Sequence, residues 1–126
     1  MYEYFTKVER VVDGDTIDVF LDLGFKVWHK DRLRLDGIDT PEKNTPLGKA
    51  LKTYLIELLE GKIVRLRVTK PDKYGRYLAT VYLNSDISLN EQLIQTGLAK
   101  AYAGKSKVGL WTPEELAKTI IDVEIK

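Results

Sequence analysis

The chain has 126 residues, 44% of them hydrophobic and 31% charged, with a formal net charge of +1; this is enough for one soluble globular domain over residues 1–126 with a core of its own. It has no cysteine and a single histidine, which excludes thiol nucleophiles, His–Cys zinc sites, disulfide scaffolds and the histidine bases of many hydrolases. A metal would have to be held by oxygen, so Ca²⁺, Mg²⁺ or Mn²⁺, and nucleic-acid binding would need local basic patches rather than a global field. No apolar run is long enough to span a bilayer. Residues 1–7 lack the basic start and apolar stretch of a signal peptide. The expectation is a protein with no membrane partner, cytoplasmic or secreted with its signal removed, and monomeric.

Tyr2 to Val12 mixes β-branched and aromatic residues and reads as a first strand, ended by the turn Asp13-Gly14-Asp15. Ile17, Val19 and Leu21 alternate with Asp18 and Phe20 in a second strand, and Val27 to Ile38 reads as a third. In that third strand Leu33 and Leu35 share one face and Arg32 and Arg34 the other. Thr45 is an N-cap and Pro46 the first residue of a helix whose apolar face is Leu47, Leu51, Tyr54, Leu55 and Leu58, stopped at Gly61. Ile63 to Thr69 and Leu78 to Leu83 are two further strands. Ser88 and Glu91 frame a capping box for a short helix that ends at Gly97, and Leu98 to Tyr102 returns toward the body. Thr112 and Glu115 frame a second box, with Trp111 and Leu116 placed as a hydrophobic staple and the helix expected to reach about Ile121. Five short strands, a helix after the third and helices at the end predict a mainly β, α+β architecture: a five-stranded Greek-key barrel of the OB type with about three helices. A different small α+β sandwich fits the same string.

Three polar clusters carry chemistry. In Asp13-Gly-Asp-Thr16 and Arg34-Leu-Asp-Gly-Ile-Asp-Thr-Pro-Glu42, Asp15 and Asp39 each sit at a strand end beside a turn. Two carboxylates brought together need a cation or a proton between them, and a hard divalent cation with turn carbonyls fits; a single aspartate in a turn more often just caps backbone N–H groups. Arg34 and Arg76 can grip phosphate oxygens in a fork, although a surface ion pair is the commoner fate of a strand arginine. Glu42 can orient or deprotonate a water, or be a solvated loop carboxylate. Tyr74, and with less support Tyr102, can stack on a base or merely cover the core edge. Lys70, Lys73, Lys100, Lys105 and Lys107 offer a polyanion path or a solvated basic face. Asp13 reads as a supporting group, Asp36 as a surface charge or a local partner, and His29 has no assigned role.

The motifs Val12-Asp-Gly-Asp-Thr16, Arg34-Leu-Asp-Gly-Ile-Asp-Thr-Pro-Glu42, Asp72-Lys-Tyr-Gly-Arg76 and Leu89-Asn-Glu91 with Gly97-Leu-Ala-Lys100 together resemble the staphylococcal nuclease (thermonuclease) family in order and spacing, over roughly Val8 to Tyr102. The resemblance implies an OB barrel and a Ca²⁺-dependent phosphodiesterase that cuts the 5′ P–O bond of DNA and RNA, leaving 3′-phosphate ends; single strands are the expected preferred substrate. It implies Asp15, Asp39 and the Thr40 carbonyl as calcium ligands and Asp13 as an outer carboxylate. By the same resemblance Glu42 activates or positions water, Arg34 and Arg76 clamp the phosphate, Tyr74 matches a tyrosine that contacts the nucleotide, and Tyr102 lies near another; Lys73, from the polyanion path, is a further expected substrate contact.

Two departures from the family pattern stand out. The stretch between Glu42 and the first helix is short, and Tyr102 reaches Gly109-Leu-Trp111 without the long helix that the family places between them. The rival expectation is a catalytically inactive OB-fold module that binds nucleic acid or a protein.

Overall fold

The structure, a computed structural model, describes residues 2–71, 76–84, 86–102 and 111–117. In chain order these hold β1 (Tyr2–Asp13), β2 (Thr16–Asp22), β3 (Trp28–Leu35), β4 (Ile38–Asp39), α1 (Pro46–Leu59), β5 (Ile63–Pro71), β6 (Tyr77–Tyr82), α2 (Leu89–Gln95), β7 (Lys100–Ala101) and α3 (Pro113–Leu116). Strands β1, β2, β3, β6 and β5 close into a barrel, while β4 and β7 pair as a separate ribbon. The β3–β6 pair is parallel and the other barrel pairs are antiparallel. This is the five-stranded OB-type barrel that the order of elements predicts. No helix among the described residues is long and apolar enough to cross a membrane.

Closure depends on β1, which serves two neighbours. Tyr2 to Lys7 pairs with β5, and Thr6 to Asp13 pairs with β2, with register shifts between Val8 and Arg10 and between Val11 and Asp13. Such irregularities bend a strand and leave ladder groups without a partner. Glu60, the C-cap of α1, takes up one of them: its Oε1 accepts a hydrogen bond from the Val11 N–H at 3.0 Å.

Val8, Ile17, Val19, Leu33, Leu35, Leu66 and Val81 are buried in the core. Helix α1 covers the barrel with Leu47, Leu51, Leu55 and Leu59, all buried and spaced by four. The expected stripe holds at its first members, but Leu59 closes it, and Tyr54 and Leu58 pack only partly against the core. Thr45 caps the helix as predicted, its hydroxyl accepting from Gly48 N–H at 3.1 Å.

The third strand is shorter than alternation suggests. It stops at Leu35 because Gly37 turns the chain with φ 75°, a conformation in which a Cβ would be strained. The chain re-enters as β4, pairing Ile38 with Ala101 and Asp39 with Lys100 of β7. The return of Leu98 to Tyr102 toward the body is thus a strand partner for the aspartate turn. Thr112 and Glu115 make the reciprocal box, while Ser88 caps α2 by accepting from Glu91 N–H at 3.1 Å. The stretch after Ala117, where the last helix was expected to continue to about Ile121, lies outside the described residues.

Candidate active site

The site forms where β1, β3 and β4 end and β2 and α1 begin. At the β1–β2 turn, Asp13 Oδ1 accepts from the Asp15 N–H at 3.2 Å, and the Thr16 hydroxyl donates to Asp15 Oδ1 at 3.2 Å. Across the ladder Thr16 pairs with Arg34, and the Leu35 N–H donates to the Asp15 carbonyl at 2.8 Å. The backbone therefore sets Asp15 beside Arg34.

Arg34 is the buried centre. Its side chain is 7% exposed, with Asp39 at 5% and Asp15 at 14%. Its Nη2 lies 3.4 Å from Asp15 Oδ2 and 3.9 Å from Asp39 Oδ1, and Nη1 donates to the Leu35 carbonyl at 3.2 Å. Its guanidinium carbon lies 5.5 Å from the centre of the Tyr102 ring, which is brought there by a 2.9 Å bond from Tyr102 N–H to the Gly37 carbonyl. Alternation put Arg34 on the outward face with Arg32. The turn at Gly37 and the β4–β7 ribbon fold over that face, so the arginine is enclosed rather than solvated.

Two glycines let the loops close. A methyl at Gly14 would stand 2.7 Å from Thr40 Oγ1 and 2.8 Å from Leu51 Cδ2. A methyl at Gly48, in the first turn of α1, would collide with the Glu42 carbonyl oxygen. That same carbonyl accepts from the Thr45 hydroxyl at 2.7 Å and the Thr45 N–H at 3.0 Å. Helix α1 thus grips the backbone that carries Glu42.

A cleft of about 320 Å³ results, bordered by Asp13, Asp15, Asp39, Thr40 and Glu42 together with Trp111 and Leu116. The Trp111 indole N–H donates to Asp39 Oδ2 at 2.8 Å. Lys100 Nζ sits 4.9 Å from the Trp111 ring centre and 2.8 Å from the Glu115 carboxylate.

The border of the cleft is rich in negative charge. Four carboxylates border the cleft, while Arg34 stands between two of them, and buried carboxylates are costly without compensating positive charge. Burial pushes the Asp13 carboxyl up, but hydrogen bonds with Asp15 and Thr16 and the charge on Lys43 outweigh it and hold the group below its ordinary value. The donor chemistry is all hard oxygen, which suits Ca²⁺ or Mg²⁺. Among the described residues no three carboxylate or imidazole groups stand together as a metal cage. Asp15 and Asp39 would supply two ligands, with carbonyl oxygen and water completing the shell, the usual way hard cations are bound.

The structure thus brings together Asp13, Asp15, Arg34, Asp39, Thr40, Glu42 and Tyr102. Arg76 is half-buried and immediately precedes Tyr77, whose Cα pairs with Leu33 next to Arg34. Tyr74 and Lys73, with Asp72, Gly75, Lys105 and Lys107, lie outside the described residues. Four contributors escaped sequence reasoning in these roles. Gly14 and Gly48 keep loops in contact, and Trp111 was read only as a staple residue. Asn90 lay inside a quoted motif without a role; its amide donates to the Asp36 and Ala79 carbonyls and accepts from Val81 N–H. It ties α2 to the turn between Arg34 and Asp39.

Comparison with known proteins places this geometry. Residues 32–118 match the family model described as staphylococcal nuclease homologue. The thermonuclease of Staphylococcus intermedius is 41% identical over 102 residues, covering 75% of this chain and 57% of that protein. A probable staphylococcal-like nuclease of Oryza sativa subsp. japonica is 36% identical over 91 residues, covering 70% of this chain but 24% of its own length. An uncharacterized endonuclease of Escherichia coli is 33% identical over 121 residues, covering 84% of this chain and 76% of that protein. The chain therefore spans about a quarter of the rice relative, just over half of the staphylococcal one and about three quarters of the Escherichia coli one.

Proposed function

The chain belongs to the staphylococcal nuclease homologues, and from that premise we propose that it is a nuclease: a Ca²⁺-dependent phosphodiesterase acting on DNA and RNA at the 5′ P–O bond, leaving 3′-phosphate ends. The observation that carries the reading is the buried Arg34 between Asp15 and Asp39, two carboxylates that border a cleft with Glu42. A site built only to bind a polyanion would gain nothing from enclosing two carboxylates.

Asp15 and Asp39, with the Thr40 carbonyl, are the residues that would hold the cation, and the bound cation would offset charge on the phosphate. Arg34 offers a planar fork of donors from a water-poor position, where a hydrogen bond to an equatorial phosphate oxygen is strongest. Arg76 is the second clamp in this proposal, entering beside β3 from the start of β6. Glu42 is exposed, and Thr45 fixes its backbone, so its carboxylate can orient or deprotonate a water at the mouth of the cleft. Tyr102, resting by Arg34, and Tyr74 and Lys73 are the proposed nucleotide contacts, favouring unpaired strands whose bases are free to stack. The protein is proposed to act as a monomer.

The test is cleavage of single-stranded DNA and RNA with Ca²⁺, with Mg²⁺ and with EGTA, beside Arg76→Ala and Glu42→Gln. Cutting that needs Ca²⁺, leaves 3′-phosphates and falls by about 10²–10³ in each variant supports the assignment. Binding without cutting under all conditions would instead identify an inactive module. Cutting by Arg76→Ala at the parent rate would remove Arg76 from the clamp.

A further inference from the structure

We infer that Trp111 is a positioning residue for the cation site: its indole N–H fixes the Asp39 carboxylate and thereby sets how tightly the cleft holds a divalent metal. The inference rests on the proposed metal-dependent reading of the same cleft. It concerns a contact made across 72 positions of sequence by a segment that begins only nine residues after Tyr102.

The bond is short and specific. At 2.8 Å the indole makes a full hydrogen bond to Asp39 Oδ2, while Arg34 reaches Oδ1 at 3.9 Å, an ion-pair distance only. Indole N–H is a donor with no acceptor capacity, so it can hold only an acceptor, here a carboxylate oxygen. The bond restrains rotation of the carboxylate and favours one orientation toward the cleft. Partners of this kind, one shell outside a metal, orient the ligand and govern affinity.

Trp111 is itself held from the other side of the same aspartate. Lys100 is the β7 residue that pairs with Asp39 in the β4–β7 ladder. Its ammonium lies 4.9 Å from the Trp111 ring centre, within cation–π range, and 2.8 Å from Glu115. Glu115 accepts from the Thr112 N–H at 3.0 Å, one residue beyond Trp111, and so closes the capping box of α3. The contacts form a closed circuit: Asp39 beside Lys100, Lys100 on the Trp111 face, Trp111 back to Asp39. Packing alone needs only an aromatic ring here. The circuit directs the one polar atom of that ring to a carboxylate at 5% exposure.

The experiment is isothermal titration with CaCl₂, and separately MgCl₂, of the full chain as parent, as Trp111→Phe, and with Trp111 replaced by 3-benzothienylalanine. The last keeps the shape of indole and removes only the N–H, so it answers the question should the phenylalanine variant fail to fold. Circular dichroism confirms the fold of each. The expected result is a cation affinity about 10–100-fold weaker in both variants. In a Trp28→Phe background, which leaves Trp111 as the single tryptophan, indole emission should change with Ca²⁺ at the calorimetric midpoint. Parental affinity, or tighter binding, in a folded variant lacking the N–H overturns the inference and leaves the nuclease reading standing. A parent that binds neither cation overturns both.

Discussion

Arg32 and Arg34 are neighbours on one strand, side chains on the same face by alternation, and each faces an aspartate of β2 or its entry turn. Arg32 makes the better-shaped pair, a fork on Asp18 with bonds of 2.8 and 3.2 Å. Arg34 reaches Asp15 only at 3.4 Å. Yet Arg32 is 55% exposed and Arg34 is 7% exposed. Solvent screens the first pair almost to silence, since exposed ion pairs contribute little whatever their geometry. The second sits where water is scarce, so its charge is screened far less and acts more strongly on the carboxylates that border the cleft. What makes an arginine chemical here is what folds over it, not its partner's distance.

The largest expected effect breaks that contrast at its buried side. Arg34→Ala should reduce cleavage by about 10²–10³ and lower stability by about 3–5 kcal/mol, since Asp15 and Asp39 lose a cation they were buried with. Cleavage assays and thermal melts measure the two separately. Arg34→Lys sharpens the test: a point charge should recover much of the stability but little of the cleavage, because the planar fork is lost. A Ca²⁺-induced rise in Tm larger in Arg34→Ala than in the parent would show that the carboxylates then rely on the metal.

A smaller effect is expected at the glycines that differ between the two ends. Gly24, in the hairpin distal to the cleft, has φ 82° and open space where a Cβ would stand; its substitution by alanine should cost about 1–2 kcal/mol of backbone strain and leave cleavage alone. Gly48 has ordinary helical surroundings but the Glu42 carbonyl in the way. Helix propensity favours Gly48→Ala by about 1 kcal/mol. The clash outweighs it, because a backbone atom cannot step aside like a side-chain tip, and the expected net cost is about 1–3 kcal/mol. Cleavage should fall as well, because the loop carrying Glu42 must shift. A Gly48→Ala protein more stable than the parent and fully active would show that the loop yields freely.

The barrel was legible in the sequence because alternation and caps are local. Ile17, Val19, Leu33 and Leu35 reveal their strands from neighbours two positions away, and Thr45-Pro46 announces a helix within one turn. The cluster of Asp15, Arg34, Asp39 and Glu42 was legible through its dense polar motifs. The burial of Arg34 was not, because period-two alternation assigns a face and is blind to the β4–β7 ribbon that covers it. Gly14 and Gly48 were opaque because their clashes are with Thr40 and Glu42, residues met only after folding. Trp111 looked like a helix staple for the same reason: its partner, Asp39, lies far upstream.

Between the two arginines in strength lies the Lys100–Glu115 pair, 32% and 30% exposed. The hydrogen bond from Lys100, followed by the Thr112 backbone bond, pulls the Glu115 carboxyl from 4.5 down to about 2. A depressed carboxylate contributes stability that is complete above its unfolded value and is lost as pH falls through its folded one. The seating of Trp111 should therefore be full above pH 4.5 and fade toward about pH 2. Trp111 emission in a Trp28→Phe background, followed during acid titration, should report that loss. Glu115→Gln should lose the Lys100 contribution already at neutral pH, and an unchanged acid profile in that variant would assign the transition to other carboxylates.

The smallest effect is expected at the exposed arginine, and its smallness is the point. The bond to Arg32 lowers the Asp18 carboxyl below its ordinary 3.8, so the pair contributes above that value and nothing once acid has protonated Asp18. Being solvent-screened, it should contribute little even at neutral pH. Arg32→Ala should leave cleavage within about twofold of the parent and shift Tm far less than Arg34→Ala, the shift vanishing in acid and shrinking in high salt. If Arg32→Ala instead cost as much cleavage as Arg34→Ala, the substrate would be reading the outer face of the strand, and enclosure by the β4–β7 ribbon would not be what separates these two arginines.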